Sequence, residues 1–115
     1  MKLNTLTVEL PGIDVLEHPL REAYSDISMA VTHSDITRLY LIEKYYGRTN
    51  SDAAGVVFIE SLGEIQFKVQ IWVLGGRTGL IGLDYGAEKH FLKEINDIVK
   101  KYATRIVFDE SQEST

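Results

Sequence analysis

The chain has 115 residues, the length of one domain, and 44% of them are hydrophobic, enough to form one core. Charged residues make up 25%, the usual share of a folded soluble domain, which excludes an intrinsically disordered chain. Acidic residues outnumber basic ones by 17 to 12, and the resulting charge of −5 disfavours unspecific contact with nucleic-acid phosphates or anionic lipid. The lack of cysteine excludes disulfides, thiolate metal sites and cysteine nucleophiles.

The N-terminal segment predicts a strand and not a targeting signal. Leu6, Val8 and Leu10 alternate with polar residues over residues 3–10, and Pro11-Gly12 then forms a turn. A secretory signal would need a basic start and an unbroken apolar run. No apolar stretch approaches the roughly 20 residues that span a bilayer. We therefore expect a cytoplasmic protein that has no membrane partner.

The next two segments carry helical signals. After Pro19, which suits a first helical turn, apolar residues recur at helical spacing, namely Leu20, Tyr24, Ile27 and Val31. We predict a helix here, with a strand over residues 27–32 as the alternative. Residues 36–46 are apolar nearly all round, which is typical of a well-buried helix or of a strand.

The residues at the two ends of this segment decide between helix and strand. Ser34 and Asp35 resemble a helix start, and Gly47 stands where a left-handed C-cap would fall. We therefore predict a helix over residues 36–46. The polar residues 48–54 that follow predict a loop.

Three consecutive strands are predicted next. Residues 56–60 are β-branched or aromatic and end at the turn Leu62-Gly63. Residues 64–74 alternate strictly, so this strand turns one side to the core and the other to solvent. Five glycine-rich residues, 75–79, form the next turn, and residues 80–85 form the third strand.

The C-terminal part predicts a helix and a last strand. Residues 87–102 show an apolar stripe opposite a charged face, and Lys100 and Lys101 suit the helix C-terminus. Residues 104–108 predict a strand, and residues 109–115 a frayed polar tail. The order of elements predicts a two-layer α+β fold with a largely antiparallel sheet and helices packed on one face.

The uncovered face of the strand over residues 64–74 is the best candidate for a binding surface. It carries Gln66, Lys68, Gln70 and Trp72. Trp72 is a large aromatic among polar neighbours, and exposed tryptophan is enriched at binding hot spots. We expect this face to contact a protein partner or a second copy of the chain.

The motifs of catalysis and of metal or cofactor binding are missing from the sequence. The turn over residues 75–79 joins two predicted strands and lacks the lysine and Ser/Thr of a phosphate loop, so it predicts a hairpin turn with Arg77 as an anion contact. His18, His33 and His90 are not spaced as a zinc pair. No nucleophile motif occurs. We expect no cofactor, no metal and no catalytic residue.

The order helix, three strands, helix from Asp35 to Tyr102 resembles a double-stranded-RNA-binding domain. The strand from Phe67 to Leu74 is similar in character to the central strand of that family. The resemblance implies RNA binding through a lysine cluster at the start of the second helix. This chain has one lysine and one glutamate over residues 86–90, so phosphate contacts would come from Arg77, Lys89 and Lys93.

The sequence therefore favours a small acidic, non-enzymatic binding or regulatory protein that acts through a protein–protein interface. Inhibitors and immunity-type proteins have this profile, and we expect a homodimer. The alternative is a nucleic-acid-binding module of α-β-β-β-α topology. A weaker alternative is a small-ligand or catalytic domain with a pocket between sheet and helices.

Overall fold

The computed structural model describes residues 2–24, 34–46, 51–75 and 85–113. These residues form a five-stranded antiparallel sheet and three helices, and the predicted α+β class is confirmed. The elements in chain order are β1 (Lys2–Glu9), α1 (Glu17–Ala23), β2 (Thr37–Tyr46), β3 (Ser51–Ser61), β4 (Gln66–Gly75), α2 (Tyr85–Tyr102), β5 (Arg105–Asp109) and α3 (Glu110–Glu113).

The strand order across the sheet is β2-β3-β4-β1-β5. Strands β2, β3 and β4 are joined in sequence as a meander, whereas β1 lies between β4 and β5 and is antiparallel to both. The first strand of the chain is therefore an interior strand of the sheet, and it joins the meander to the C-terminal strand.

The core lies between the sheet and helices α1 and α2. Alternate residues of the strands point into it, as the period-two pattern of β1 and β4 predicted. Helix α2 contributes its apolar stripe, Phe91, Ile95 and Val99, and α1 contributes Leu20, all of them buried. Burial of each such side chain stabilises the fold by roughly 1.5–3 kcal/mol. The inward strand residues of the core are Leu6, Val8, Tyr40, Ile42, Val57, Ile59, Phe67, Val69, Ile71 and Val73.

Gly55 marks the place where α2 lies closest to the sheet. A Cβ atom built on this buried glycine of β3 would lie 3.2 Å from Ile95 Cδ1 and 3.2 Å from Phe91 Cζ. These distances are shorter than an ordinary carbon–carbon contact of 3.5–4.0 Å. Glycine in the middle of a strand costs stability by itself, so its presence here reflects the packing of the helix.

The predicted helix over residues 36–46 is wrong, because residues 37–46 form strand β2. Tyr40 and Ile42 are buried in the core, while Leu39 and Leu41 lie half-buried on the opposite face of the sheet. The segment is apolar all round because both faces of the strand carry apolar residues. The Ser34 hydroxyl accepts a hydrogen bond from the Ile36 amide at 3.2 Å, so it forms a local turn before the strand.

This correction also removes the basis of the resemblance to the double-stranded-RNA-binding domain. That resemblance needed a helix before the three strands, and the segment is a strand paired with β3. Among the described residues the order before α2 is β1, α1, β2, β3, β4.

The remaining predictions differ from the structure mainly at element boundaries. Strand β3 begins at Ser51, within the predicted loop over residues 48–54. Helix α1 ends at Ala23, and the prediction for residues 27–32 lies outside the described residues. The predicted turn from Gly76 onward and residues 80–84 of the predicted third strand also lie outside the described residues. Tyr85, the last residue of that predicted strand, is the first residue of α2.

The C-terminal residues were predicted to fray, but residues 109–113 are ordered. Asp109 is the buried last residue of β5, and Glu110–Glu113 forms the short helix α3. None of the helices in the described ranges has the length and hydropathy of a membrane-spanning segment.

Candidate functional site

The candidate site is the sheet face opposite to α1 and α2, which we call the open face. Cross-strand pairing places Leu41, Val56, Trp72 and Leu3 in one row, on β2, β3, β4 and β1 in that order. Leu39 and Phe58 lie beside this row, again directly opposite each other on β2 and β3. We call these six residues the apolar patch. It covers four adjacent strands.

The side chains of the apolar patch are accessible. Leu3 is 43% exposed, and the other five are half-buried. Leu74, at the end of β4, extends the same face and is 44% exposed. Apolar cross-strand neighbours on a sheet stabilise each other, but a patch that spans four strands exceeds what pairing within the sheet requires.

A polar row borders the apolar patch. It consists of Thr37, Glu60, Lys68 and Thr7, which are cross-strand neighbours on β2, β3, β4 and β1. Lys68 Nζ lies 3.3 Å from Glu60 Oε1, and both side chains are a little over one-third exposed. An exposed pair of this kind stabilises a fold by at most about 1 kcal/mol. Its opposite charges lie side by side at the edge of an apolar surface.

The structure places the four predicted interface residues on this face. Gln66, Lys68, Gln70 and Trp72 alternate along β4 with buried Phe67, Val69, Ile71 and Val73. Trp72 is not isolated among polar residues, because its cross-strand neighbours are Val56 and Leu3.

Most of the apolar patch was missed by reasoning from sequence. Leu39 and Leu41 fell in the segment predicted as a helix. Val56 and Phe58 fell in a predicted strand, but the sequence analysis did not assign its residues to the core side or to the solvent side. The signal that could have found them is the unbroken apolar run over residues 56–59, since such a run implies a strand with apolar residues on both faces.

Two of the three predicted anion contacts do not join this face. Lys89 and Lys93 lie exposed on α2, the helix that covers the other side of the sheet, and Arg77 lies outside the described residues. Lys93 Nζ is 2.9 Å from Asp97 Oδ2, and the hydrogen bond to this carboxylate raises the pKa of Lys93.

A buried polar cluster connects β1, α2, β5 and α3 on the covered side of the sheet. Asn4 Nδ2 donates to Asn96 Oδ1 at 2.9 Å and to Asp109 Oδ1 at 3.1 Å. Ser111 donates its amide and its hydroxyl to the same Asp109 oxygen, and Lys100 Nζ lies 2.6 Å from Asp109 Oδ2. Burial alone would raise the pKa of Asp109, but the hydrogen bonds from Lys100, Ser111 and Asn4 lower it to about 2. The cluster is internally paired, so its role is structural.

Two further polar groups lie near α1. The Tyr40 hydroxyl is buried without a hydrogen-bond partner within the described ranges, and burial, reinforced by the charges of Glu17 and Asp14, raises its pKa to about 12. Arg38 Nε lies 2.6 Å from Asp14 Oδ1 and so connects β2 to the segment before α1.

The two histidines of the described residues, His18 and His90, each lie beside a glutamate one helical turn away. His90 Nε2 lies 2.8 Å from Glu94 Oε2, and the other oxygen of Glu94 accepts from the Tyr24 hydroxyl at 2.9 Å. This arrangement, together with the edge-to-face contact of Tyr24 with Phe91, fastens the end of α1 to α2. Nowhere in the described part of the chain do three potential metal-binding side chains of His, Asp or Glu converge.

The open face, with the apolar patch and the polar row beside it, is therefore the candidate site. Comparison of the chain with protein-family models, with curated proteins and with solved structures finds no match.

Proposed function

We propose that this chain is a cytoplasmic, non-enzymatic binding or regulatory protein that acts through a protein–protein interface, and that the open face is this interface. The observation that supports the proposal is the apolar patch, six accessible side chains in contiguous rows over four strands. Contiguous apolar surface bordered by polar residues is typical of interaction sites.

The composition of the open face also resembles a hot spot. Trp72 and Phe58 are large aromatic side chains near the middle of the patch, and aromatic residues contribute most of the binding free energy in many interfaces. The charged residues Lys68 and Glu60 lie at its border, where they favour correct orientation more than affinity.

The net charge of the chain fits an inhibitor or immunity-type protein. A formal charge of −5 produces a field that attracts basic proteins and accelerates their association, nucleases being one such class. This long-range attraction supplements the apolar contact and does not replace it.

The test compares Trp72→Ala with Ile65→Ala in partner capture. Both variants shorten an apolar residue, but Ile65 lies in the turn between β3 and β4 and is 53% exposed. A basic protein that the wild type and Ile65→Ala capture, and that binds Trp72→Ala at least tenfold more weakly when purified, would support the proposal. Equal affinity for all three proteins would contradict it.

The same proteins discriminate between the proposal and the nucleic-acid alternative. Binding to duplex RNA that weakens steeply with salt, and that does not change in Trp72→Ala, would favour the alternative, because phosphate contacts dominate such affinity. Thermal unfolding of the variants shows beforehand that each has kept its fold.

A further inference from the structure

We propose that the occupant of the open face is a second copy of this chain, packed face to face across a two-fold axis that runs parallel to the strands between β3 and β4. This inference rests on the proposed function, since it uses the same face. It adds the identity of the partner and the register of the interface.

The cross-strand rows are complementary to themselves under this rotation. The axis exchanges β3 with β4 and β2 with β1, and it keeps each row at its level. Leu41 then faces Leu3 of the second copy, and Val56 faces its Trp72. Packing of two sheets with nearly aligned strands about 10 Å apart is the usual arrangement of sandwiches.

The polar row gives the more specific argument. In this register Glu60 of each copy faces Lys68 of the other, and Thr37 faces Thr7. The pair that lies 3.3 Å apart within one copy becomes part of a cluster of four alternating charges. Opposite charges across an interface fix its register and exclude wrong partners.

The other simple two-fold axis lacks this complementarity. An axis perpendicular to the strands through the middle of the patch reverses the order of the rows. Glu60 would then face Ala54 of the second copy, and Lys68 would face its Leu74. The Glu60–Lys68 pair of each copy would then be covered by apolar side chains and would lose water without gaining an opposite charge from the other copy, so this orientation is disfavoured.

The open face is smaller than the interface of a stable dimer, which predicts a weak dimer that depends on concentration. The flat area of the face is on the order of 400 Å² per copy, from four strands about 4.8 Å apart and six residues along each strand. Side chains that protrude from the sheet add to this area. Stable interfaces bury about 800 Å² per partner. We therefore expect a mass in solution that rises from monomer to dimer over the micromolar range.

The test uses charge reversal at the polar row. Glu60→Lys gives a face with two positive charges, and Lys68→Glu gives one with two negative charges. Each variant alone should dimerise about tenfold more weakly than the wild type, because like charges meet across the axis. An equimolar mixture of the two should dimerise about as well as the wild type, because every charge then meets its opposite. Sedimentation equilibrium measures the four dissociation constants, those of the wild type, of each variant and of the mixture.

A matched ion pair provides the control. Lys93 and Asp97 lie 2.9 Å apart on the exposed side of α2, and Lys93→Glu or Asp97→Lys makes the same change of charge away from the open face. Neither should change the dissociation constant of the dimer by more than about twofold.

Three results would overturn the inference. These are a monomer at every concentration up to the millimolar range, a dimer that both reversals leave unchanged, or weakened variants that do not recover on mixing. A monomer would leave the proposed function standing, because the capture assay with Trp72→Ala tests the open face against another protein. If the dimer forms as expected but Trp72→Ala captures the basic partner as well as the wild type does, the inference about the dimer stands and the proposed function fails.

Discussion

Replacement of Asp109 by asparagine keeps the shape of the side chain and removes its charge from the buried polar cluster. The asparagine oxygen can still accept hydrogen bonds from Asn4 and Ser111, but Lys100, whose side chain is 27% exposed, loses its counter-charge at 2.6 Å. The variant therefore isolates the contribution of the carboxylate to the attachment of β5 and α3.

The magnitude follows from the pKa of the group. Asp109 has a pKa of about 2 in the folded protein against an ordinary value of 3.8. Because the folded pKa is lowered, the stabilisation is fully present above pH 4 and is lost as the pH falls through 2. One pKa unit corresponds to about 1.4 kcal/mol, so Asp109→Asn should lower the free energy of unfolding by roughly 2 kcal/mol at pH 7.

Urea unfolding followed by circular dichroism measures this difference. Wild type and variant are compared at one protomer concentration, since dimerisation would add to the apparent stability. Between pH 4 and pH 2 the wild type should lose stability, and Asp109→Asn should lose less by about the same 2 kcal/mol. Asp97→Asn, at a carboxylate with 58% exposure, should cost under about 1 kcal/mol. If Asp109→Asn unfolds like Asp97→Asn at pH 7, the reasoning about the buried cluster is wrong.

Two further changes test the packing of the core. Gly55→Val should destabilise the protein by about 1–3 kcal/mol in urea unfolding, since its side chain meets Ile95 and Phe91, and Gly55→Ala should cost less than Gly55→Val. Tyr40→Phe should be neutral or stabilising by up to about 1 kcal/mol, because it removes a buried hydroxyl without a partner among the described residues. Above pH 10 the wild type should lose stability relative to Tyr40→Phe, since the unfolded tyrosine ionises before the folded one, whose pKa is about 12.

The part of the fold that could be predicted from the sequence is the part with one polar and one apolar side. Strand β4 alternates Phe67, Val69 and Ile71 with Gln66, Lys68 and Gln70, and this pattern predicts a strand with one buried face. The stripe of α2 is equally unambiguous. In both elements one side faces the core and the other faces water, so local pattern and tertiary environment agree.

Strand β2 could not be assigned in this way. Its inward residues Tyr40 and Ile42 and its outward residues Leu39 and Leu41 are all apolar, so the period that separates strand from helix is absent. Ser34 and Gly47 then supplied signals that helix caps and turns share. The burial of Asp109 was hidden for a different reason, because its partner Asn4 lies 105 residues away in sequence and meets it only in the folded chain.

The same property that concealed β2 produces the candidate site. A strand whose second face is also apolar loses its sequence signature, because the alternation of polar and apolar residues that identifies a half-exposed strand is then missing. On β2 and β3 these outward residues are Leu39, Leu41, Val56 and Phe58, and they lie next to Trp72 without a covering helix in the described part of the chain. Failure of the pattern at two adjacent strands is therefore independent support for an interface, since a face that remains in water would be expected to keep the alternation that β4 shows over residues 66–70.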